Sequence, residues 1–166
     1  LGGSVTAGEL SPDGRYLFAA TGTIHVIDTT TDQPAAPPIA VGGAPTQIAF
    51  DDASTKAYIL AASGQSLAVI DLATLEVERT IPLPNVSRIA LSGNGSRLIA
   101  AFRDGIRQFR ARDLTEISSI PAKVLLINAK LHPLPNGVEV LVENAGVGAE
   151  KTAQLIHLDT GEVSDV

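Results

Sequence analysis

Cysteine, methionine and tryptophan are absent from this chain of 166 residues. Without cysteine the chain can form neither a disulfide nor a thiolate metal site. No apolar run approaches the ~18 residues that a membrane-spanning helix needs, so we expect no membrane insertion. Charged residues make up only 18%, and the net charge is −6. Because a general nucleic-acid binder needs a basic footprint, we expect no nucleic-acid partner.

The sequence also lacks a sustained helical period. Five prolines between positions 37 and 84 would interrupt a helix there, namely Pro37, Pro38, Pro45, Pro82 and Pro84. Hydrophobic residues reach 45%, which excludes a disordered chain. Short apolar runs separated by turn residues remain, and they predict an all-β fold.

An internal repeat of about 40 residues runs through the chain. Its first element is LSPDGRYLFA at 10–19, FDDASTKAYI at 50–59, LSGNGSRLIA at 91–100 and, in degraded form, LHPLPNGVEVLV at 131–142. Its second element is TIHVIDTTT at 23–31, SLAVIDLAT at 66–74, QLIHLDTGEV at 154–163 and a weaker GIRQFRARDL at 105–114. These spacings predict four units, at about 5–43, 44–84, 85–122 and 123–166.

Each unit has the pattern of four short strands. In the second unit we predict them at 46–50, 56–61, 67–71 and 76–81. Four-stranded units of 40–45 residues are typical of β-propeller blades, whereas the coils of the alternative, a β-solenoid, are usually shorter. The sequence therefore predicts a single β-propeller region over 1–166, with about four four-stranded antiparallel sheets.

Two stretches carry a family resemblance. SPDGRYLFAA followed by IHVIDTTT, and STKAYILA followed by LAVIDLATLEV and IPLP, resemble YVTN-type β-propeller repeats of lactonase-like and quinoprotein amine dehydrogenase-like propellers. The resemblance implies an exported or surface protein, either periplasmic, secreted or on the cell surface. LFAA at 17–20 and YILA at 58–61 replace the tetrapeptide itself. The WD40 signatures are absent, which disfavours that family, and the motifs are specific for a blade rather than a function.

The start of the chain bears on the size of the ring. Leu1, Gly2 and Gly3 align with Val41, Gly42 and Gly43 at the end of the first unit. Rings of the family that this sequence resembles usually hold about six to eight blades, at the upper end of the range for β-propellers. We therefore expect part of a larger or shared ring: either a fragment of a larger ring, which we favour, or a ring completed by another chain or copy. The alternative is a complete four-bladed ring. An open half-ring would expose apolar terminal faces and require a partner.

The third unit is unusually basic. Alignment of Asp113 with Asp28 and Asp71 places 109–112 where the first two units have IHVI and LAVI. Either Phe109 and Ala111 point inward with the arginines in solvent, or the arginines make an electrostatic contact with nearby carboxylates or a partner. The candidate interface consists of Arg103, Arg107, Phe109, Arg110 and Arg112.

Other motifs are best explained by structure. The segment DTG at 159–161 superficially resembles an aspartic-protease motif, but Asp159 aligns with Asp28 and Asp71 as a carboxylate that closes a turn. His25 and His157 fall at similar places in their units, and two histidines without a third ligand make a poor metal site.

Two further segments are candidate binding elements. Asp51, Asp52 and Ser54 could supply some calcium ligands, although a hairpin turn explains them better. A long loop at 143–152, with Gly146 and Gly148, is either a solvated connection or an inserted binding element.

No convergent set of catalytic side chains stands out, and we predict no cofactor or metal. The sequence favours a non-catalytic propeller module for protein binding or scaffolding in an exported or surface protein. The alternative is part of a propeller enzyme, lactonase-like or dehydrogenase-like, whose site is shared with missing blades. A third hypothesis is an assembly module that joins copies into an oligomer through its terminal blades.

Overall fold

All regular structure in the described residues is β-strand. The computed structural model describes residues 4–61, 65–123, 126, 129–145 and 151–166. Its strands form four antiparallel sheets of four strands each, and every sheet contains four consecutive strands in chain order. The predicted fold class of four-stranded antiparallel blades is thereby confirmed. We number the sheets blades 1 to 4 along the chain.

The strand bounds are as follows. Blade 1 contains β1 (Ala7–Leu10), β2 (Tyr16–Ala20), β3 (Ile24–Asp28) and β4 (Gln33–Pro34). Blade 2 contains β5 (Pro45–Phe50), β6 (Lys56–Ala61), β7 (Ser66–Asp71) and β8 (Glu76–Pro82). Blade 3 contains β9 (Arg88–Leu91), β10 (Arg97–Phe102), β11 (Gly105–Arg110) and β12 (Glu116–Pro121). Blade 4 contains β13 (Lys130–Pro133), β14 (Glu139–Ala145), β15 (Lys151–His157) and β16 (Val163–Asp165).

The chain divides into two compact units, Leu1–Pro84 and Asn85–Val166. Unit 1 holds blades 1 and 2, and unit 2 holds blades 3 and 4. In blade 2 each observed strand begins and ends within one residue of its predicted bounds. The agreement follows from the sequence there, because each apolar run ends at a turn rich in aspartate, serine or threonine.

The core of unit 1 lies between its two sheets. Phe18 of blade 1 is fully buried, and its ring makes a T-shaped contact with Phe50 of blade 2 at 5.0 Å between centroids. The buried side chains that surround this pair are Tyr16, Ala20, Ile24, Val26, Ile48, Ala57, Ile59, Ala61, Ala68 and Ile70. Burial of each large aliphatic side chain contributes about 1.5–3 kcal/mol to stability.

Unit 2 has an equivalent core between blades 3 and 4. Its buried side chains include Ile99, Ala101, Ile106 and Ile120 from blade 3, and Val140, Val142, Ile156 and Leu158 from blade 4. The two sheets approach closely at Gly93, where an added Cβ would lie 2.2 Å from the carbonyl oxygen of Leu134. A side chain at Gly93 would therefore push the blades apart.

The turn between the first two strands of a blade is held by side-chain hydrogen bonds. In blade 1 the Ser11 hydroxyl donates to Asp13 Oδ1 at 2.6 Å. In blade 3 the Ser92 hydroxyl donates to Asn94 Oδ1 at 2.7 Å. The hydrogen bond from Ser11 lowers the pKa of Asp13. These side chains form the hydrogen bonds that close the turn. Their recurrence in the repeats is therefore explained without a bound ligand.

Candidate functional site

The turn after the third strand of each blade fixes the alignment of the repeats. In every blade a backbone amide donates to the carbonyl oxygen four residues earlier, which gives the pairs Asp32 and Asp28, Leu75 and Asp71, Leu114 and Arg110, and Gly161 and His157. The donor residue adopts the left-handed backbone conformation each time, with φ of 55°, 56°, 57° and 74°. Arg110 and His157 therefore occupy the position that Asp28 and Asp71 hold in unit 1.

The predicted alignment of Asp113 with Asp28 and Asp71 is wrong by three residues. The segment of β11 that corresponds to IHVI is 106–109, not 109–112. Because successive side chains of a strand point to opposite faces, an odd shift exchanges the two faces. The error has a physical cause: a backbone hydrogen bond closes this turn, so its first residue need not be an aspartate.

Two of the predicted interface residues lie on one face of β11. Phe109 is buried, and Arg107 is partly buried. The Arg107 guanidinium lies over the Phe102 ring, with 4.2 Å between the guanidinium carbon and the ring centroid. A cation–π contact of this kind contributes about 0.5–1 kcal/mol near a surface. Phe109 therefore belongs to the packing of blade 3, and Arg107 packs against Phe102 while part of its surface stays open to solvent.

Arg110 and Arg112 are exposed at the turn that follows β11. Arg110 Nη1 lies 3.2 Å and Arg112 Nε 3.3 Å from Asp113 Oδ2. The other carboxylate oxygen of Asp113 accepts a hydrogen bond from the Thr115 amide at 3.0 Å. The backbone and side-chain hydrogen bonds from Thr115, followed by those from the two arginines, hold the pKa of Asp113 well below its usual range. One carboxylate thus orients two guanidinium groups at a single turn.

The predicted interface residues do not form one patch. Arg103 is exposed in the turn between β10 and β11, and Arg110 ends β11. A strand of six residues, roughly 20 Å long, separates the two positions. The candidate surface that the structure brings together is therefore Arg110, Arg112 and Asp113, which we call the arginine turn.

A polar network between blades 3 and 4 was not predicted. Gln108 is fully buried, and its amide donates to the Leu158 carbonyl at 2.7 Å and to the Ser118 hydroxyl at 2.9 Å. Its carbonyl oxygen accepts a hydrogen bond from Arg97 Nη1 at 3.0 Å. Arg97 also forms an ion pair with Asp159 of blade 4. The correct alignment would have shown the signal, because Gln108 stands where blades 1 and 2 have Val26 and Val69.

The same network corrects the interpretation of DTG. Asp159 lies two residues beyond the position of Asp28 and Asp71, so the predicted alignment is wrong. In this blade His157 holds that position, and its Nδ1 accepts a hydrogen bond from the Thr160 amide at 3.3 Å. Asp159 pairs with Arg97 instead, and so links blade 4 to blade 3.

The histidines do not occupy equivalent positions either. The residue that corresponds to His25 in blade 4 is Gln154, three residues before His157. His25 Nε2 lies 3.1 Å from the Thr21 hydroxyl. His132 is exposed, with 3.4 Å between its Nε2 and Glu143 Oε2. Within the described ranges, no three histidine, aspartate or glutamate side chains form a group that could hold a metal ion.

The Asp51 turn is closed by its own hydrogen bonds. The Asp51 carboxylate accepts bonds from the amides of Thr55 at 2.7 Å and Lys56 at 2.8 Å, and from the Thr55 hydroxyl. Its oxygens are thus engaged as a hairpin requires. In the loop at 143–152, residues 146–150 lie outside the described part of the chain, as do residues 1–3, on which the alignment of Leu1, Gly2 and Gly3 depends.

A recess of about 300 Å³ lies at the outer side of blade 1. Its lining comes from β3, β4 and the segment that follows, and consists of His25, Val26, Ile27, Asp32, Pro34, Ala36 and Pro38. The lining is largely apolar, which suits a hydrophobic side chain better than a charged ligand. In the described residues, no helix is long and apolar enough to cross a membrane.

Comparison with solved structures identifies the architecture. The chain matches Kuenenia stuttgartiensis hydrazine synthase with a TM-score of 0.85 and 19% identity, over 98% of this chain and 49% of that one. It matches the Cps50 (Swd1) β-propeller domain of Myceliophteria thermophila with a TM-score of 0.78 and 15% identity, over 98% of this chain and 56% of that one. The dihydro-heme d1 dehydrogenase NirN gives a TM-score of 0.75 and 16% identity, over 96% of this chain and 36% of that one.

These four sheets are β-propeller blades. At such identities the likeness shows the fold alone. The chain spans about half the length of the first two structures and less of the third. No protein-family model and no curated protein matches the chain. Two of these neighbours are named as enzymes and one as a β-propeller domain, so the fold by itself does not decide between an enzyme and a binding module.

Proposed function

We propose that this chain is a non-catalytic β-propeller module that binds a protein partner and serves as a scaffold. The observation that carries the proposal is the arginine turn. There the Arg112 side chain is 77% exposed and that of Arg110 is 45% exposed. Such guanidinium groups bind carboxylates in a fixed fork geometry.

The chemistry of the partner follows from the charges. The chain carries a net charge of −6, so exposed arginines held together at one turn are a local exception. Because Asp113 already orients both side chains, less conformational entropy is lost when a partner binds. The partner is therefore a protein surface with exposed aspartate or glutamate.

The experiment compares proteins captured from an extract of the source cells. The double variant Arg110→Ser/Arg112→Ser is set against Arg88→Ser/Lys130→Ser, which removes the same charge from exposed positions of β9 and β13. We expect quantitative mass spectrometry to show specific proteins that the wild type and the control retain and the arginine-turn variant loses. Equal retention by all three proteins would refute the proposal.

A second candidate is suggested by the names of two similar structures, hydrazine synthase and a dihydro-heme d1 dehydrogenase in complex with DHE. On this reading the chain supplies blades to a propeller enzyme, whether dehydrogenase-like or lactonase-like, whose site is completed elsewhere. Titration with heme tests the heme-binding form of this candidate. A saturable shift of the heme absorption band at one heme per chain would favour it over the scaffold.

Membership of the YVTN-type repeat family and an exported or surface location complete the proposal. Both are supported by the segments SPDGRYLFAA and LAVIDLATLEV. Cell fractionation with an antibody against this chain tests the location. Recovery only with cytoplasmic markers would contradict it.

A further inference from the structure

The last strand of blade 3, β12, has an edge that few side chains protect. β12 is an edge strand of its sheet, as β8 is of blade 2. An edge strand presents unpaired amides and carbonyls to a further strand, and charged side chains normally oppose such pairing. Along β8 there are three of them, Glu76, Glu78 and Arg79. β12 has one, Glu116 at its first position, and the residues that follow are isoleucine, serine and a final proline.

The two equivalent strands differ most clearly at a bulge. In blade 2 the register shift after Val69 leaves Glu78 out of the pairing. Glu78 forms an ion pair with Lys56, with 2.6 Å between Oε2 and Nζ. In blade 3 the corresponding shift, after Gln108, leaves out Ile117, which is 46% exposed. Blade 3 therefore has an exposed apolar side chain where blade 2 has a paired carboxylate.

The backbone of β12 offers a hydrogen-bond donor and an acceptor at Ser119. The Ala122 amide donates to the Asp104 carbonyl oxygen at 3.0 Å, so these two residues form a hydrogen-bonded pair. Every second pair along an antiparallel ladder is of this kind, which on β12 includes Ile120 and Ser118. The amide and carbonyl of Ser119 therefore point away from β11, and the residue is exposed.

The opening of this edge does not depend on where the sequence begins or ends. Blades 3 and 4 pack through their faces, where Ile106 of blade 3 and Ile156 of blade 4 share one core. A sheet that packs in this way covers a face of its neighbour and not the edge of its last strand. The edge of β12 is thus a property of blade 3 itself.

We propose that β12 binds an extended acidic segment of the partner protein, which adds to this sheet as a fifth strand. The proposal rests on the function proposed for the arginine turn and specifies the form of the partner. β12 begins three residues after Asp113, so the arginine turn lies at the start of the open edge.

The arginine turn also sets the direction of the bound segment. Antiparallel pairing is the more stable per residue, so the carboxyl-terminal end of the segment lies at the arginine turn. The last side chains of the segment are aspartate or glutamate, which pair with Arg110 and Arg112. An apolar side chain before them contacts Ile117. Charge thus selects the end of the segment, and the backbone of β12 selects its extended conformation.

Fluorescence anisotropy of a labelled synthetic peptide tests the proposal. The peptide has about ten residues, alternates threonine and valine, and ends in glutamates. We expect saturable binding to the full chain, and weaker binding of a peptide with the glutamates at its amino-terminal end. Ser119→Pro should weaken binding at least about tenfold, because proline removes the outward amide and leaves the ladder with β11 intact.

The matched control is Thr80→Pro in β8. Thr80 pairs with Ala68 as Ser119 pairs with Arg107, so the control makes the same change at the corresponding position of blade 2. Far-UV circular dichroism checks the fold of both proline variants. Ile117→Glu gives β12 the glutamate that β8 has, and it should weaken binding without a change of backbone.

Several results would overturn this inference. They are no binding of the peptide by the wild type, binding that Ser119→Pro and Ile117→Glu leave unchanged, an equal loss in Thr80→Pro, and equal binding of the two peptides. A dimer of the chain that Ser119→Pro abolishes would also overturn it, since a second copy would then occupy the edge. Sedimentation velocity without peptide measures this last outcome.

Failure of the proposed function is a separate result. It is measured by the proteins that Arg110→Ser/Arg112→Ser retains from the cell extract. If that variant loses proteins that Ser119→Pro retains, the arginine turn binds a partner and the edge of β12 does not.

Discussion

Single aspartates hold the turns of the blades. Asp71 accepts hydrogen bonds from the amides of Thr74 and Ala73, which lower the pKa of Asp71. Asp28 accepts bonds from the hydroxyl and amide of Thr30, with the same effect on its pKa. In each case the folded state favours the ionised carboxylate, so folding and deprotonation are linked.

These turn aspartates predict that the free energy of unfolding decreases at acidic pH. A carboxylate whose pKa is lower in the folded state stabilises the protein above the unfolded pKa of about 4, and this contribution is lost as the pH falls. In the wild type the free energy of unfolding falls as the pH drops below about 4. We expect this fall to be smaller in the Asp113→Asn variant. Urea unfolding at a series of pH values measures it. Asp104→Asn removes the same charge from an exposed turn of blade 3 and serves as the control; equal effects of the two variants would contradict the prediction.

The left-handed backbone conformation in the turn after the third strand of each blade also has measurable consequences. Gly161 has φ of 74°, a conformation in which a Cβ atom is disfavoured. Since the space around it is open, with Ile120 Cγ1 at 3.8 Å from an added Cβ, the effect of substitution is one of backbone strain. We expect Gly161→Ala to destabilise the protein by about 1 kcal/mol, as measured by thermal unfolding.

The control for this strain is Gly22→Ala. An added Cβ at Gly22 meets nothing within 4 Å, and Gly22 is not among the residues with positive φ. The structure therefore predicts little change in unfolding temperature at that position. A loss at Gly22 as large as that at Gly161 would show that the turn geometry is not responsible.

At the scale of the element, blade 3 differs from the other blades by what it buries. Its third strand places Gln108 in the contact with blade 4, where unit 1 uses valine. The Leu158 carbonyl and the Arg97 guanidinium both depend on that one amide. A buried polar side chain restricts which sheet can pack there, because an apolar neighbour would leave its hydrogen bonds unmade.

Replacement of Gln108 tests this dependence. Gln108→Leu leaves the Leu158 carbonyl without its amide donor, so we expect a loss of about 1–3 kcal/mol in the free energy of unfolding. The more exposed Arg97–Asp159 pair should matter less, with Asp159→Asn costing at most about 1 kcal/mol. Chemical denaturation of both variants provides the comparison. A Gln108→Leu protein as stable as the wild type would mean that packing outweighs the network.

The sequence predicted the strands of blade 2 well and the alignment of blade 3 poorly. Apolar runs bounded by Asp51 and Asp71 are local signals, and local signals set strand limits. The place of Gln108 depends on a backbone hydrogen bond from Leu114 to Arg110, which no side chain reveals. Likewise, the five residues of the predicted interface are close in sequence but do not share one surface. Successive side chains of β11 point to opposite faces, so that Phe109 is buried and Arg110 is exposed.

At the scale of the whole molecule, charged residues are few and acidic residues outnumber basic ones. Charged residues make up 18% of the chain, the net charge is −6, and the isoelectric point is about 4.9. Repulsion between copies therefore disappears near pH 5. The bounds of the four repeat units and the role of Arg103, Arg107, Arg110 and Arg112 in an interface stay predictions.

A solubility minimum follows from this composition. Near pH 5 the copies carry little net charge, and exposed apolar side chains such as Ile117, which is 46% exposed, can then associate without electrostatic opposition. We expect the concentration that remains soluble after centrifugation to pass through a minimum near pH 5. Circular dichroism of the soluble fraction verifies that the fold is intact. Solubility that changes in one direction only between pH 4 and pH 8 would disagree with this account.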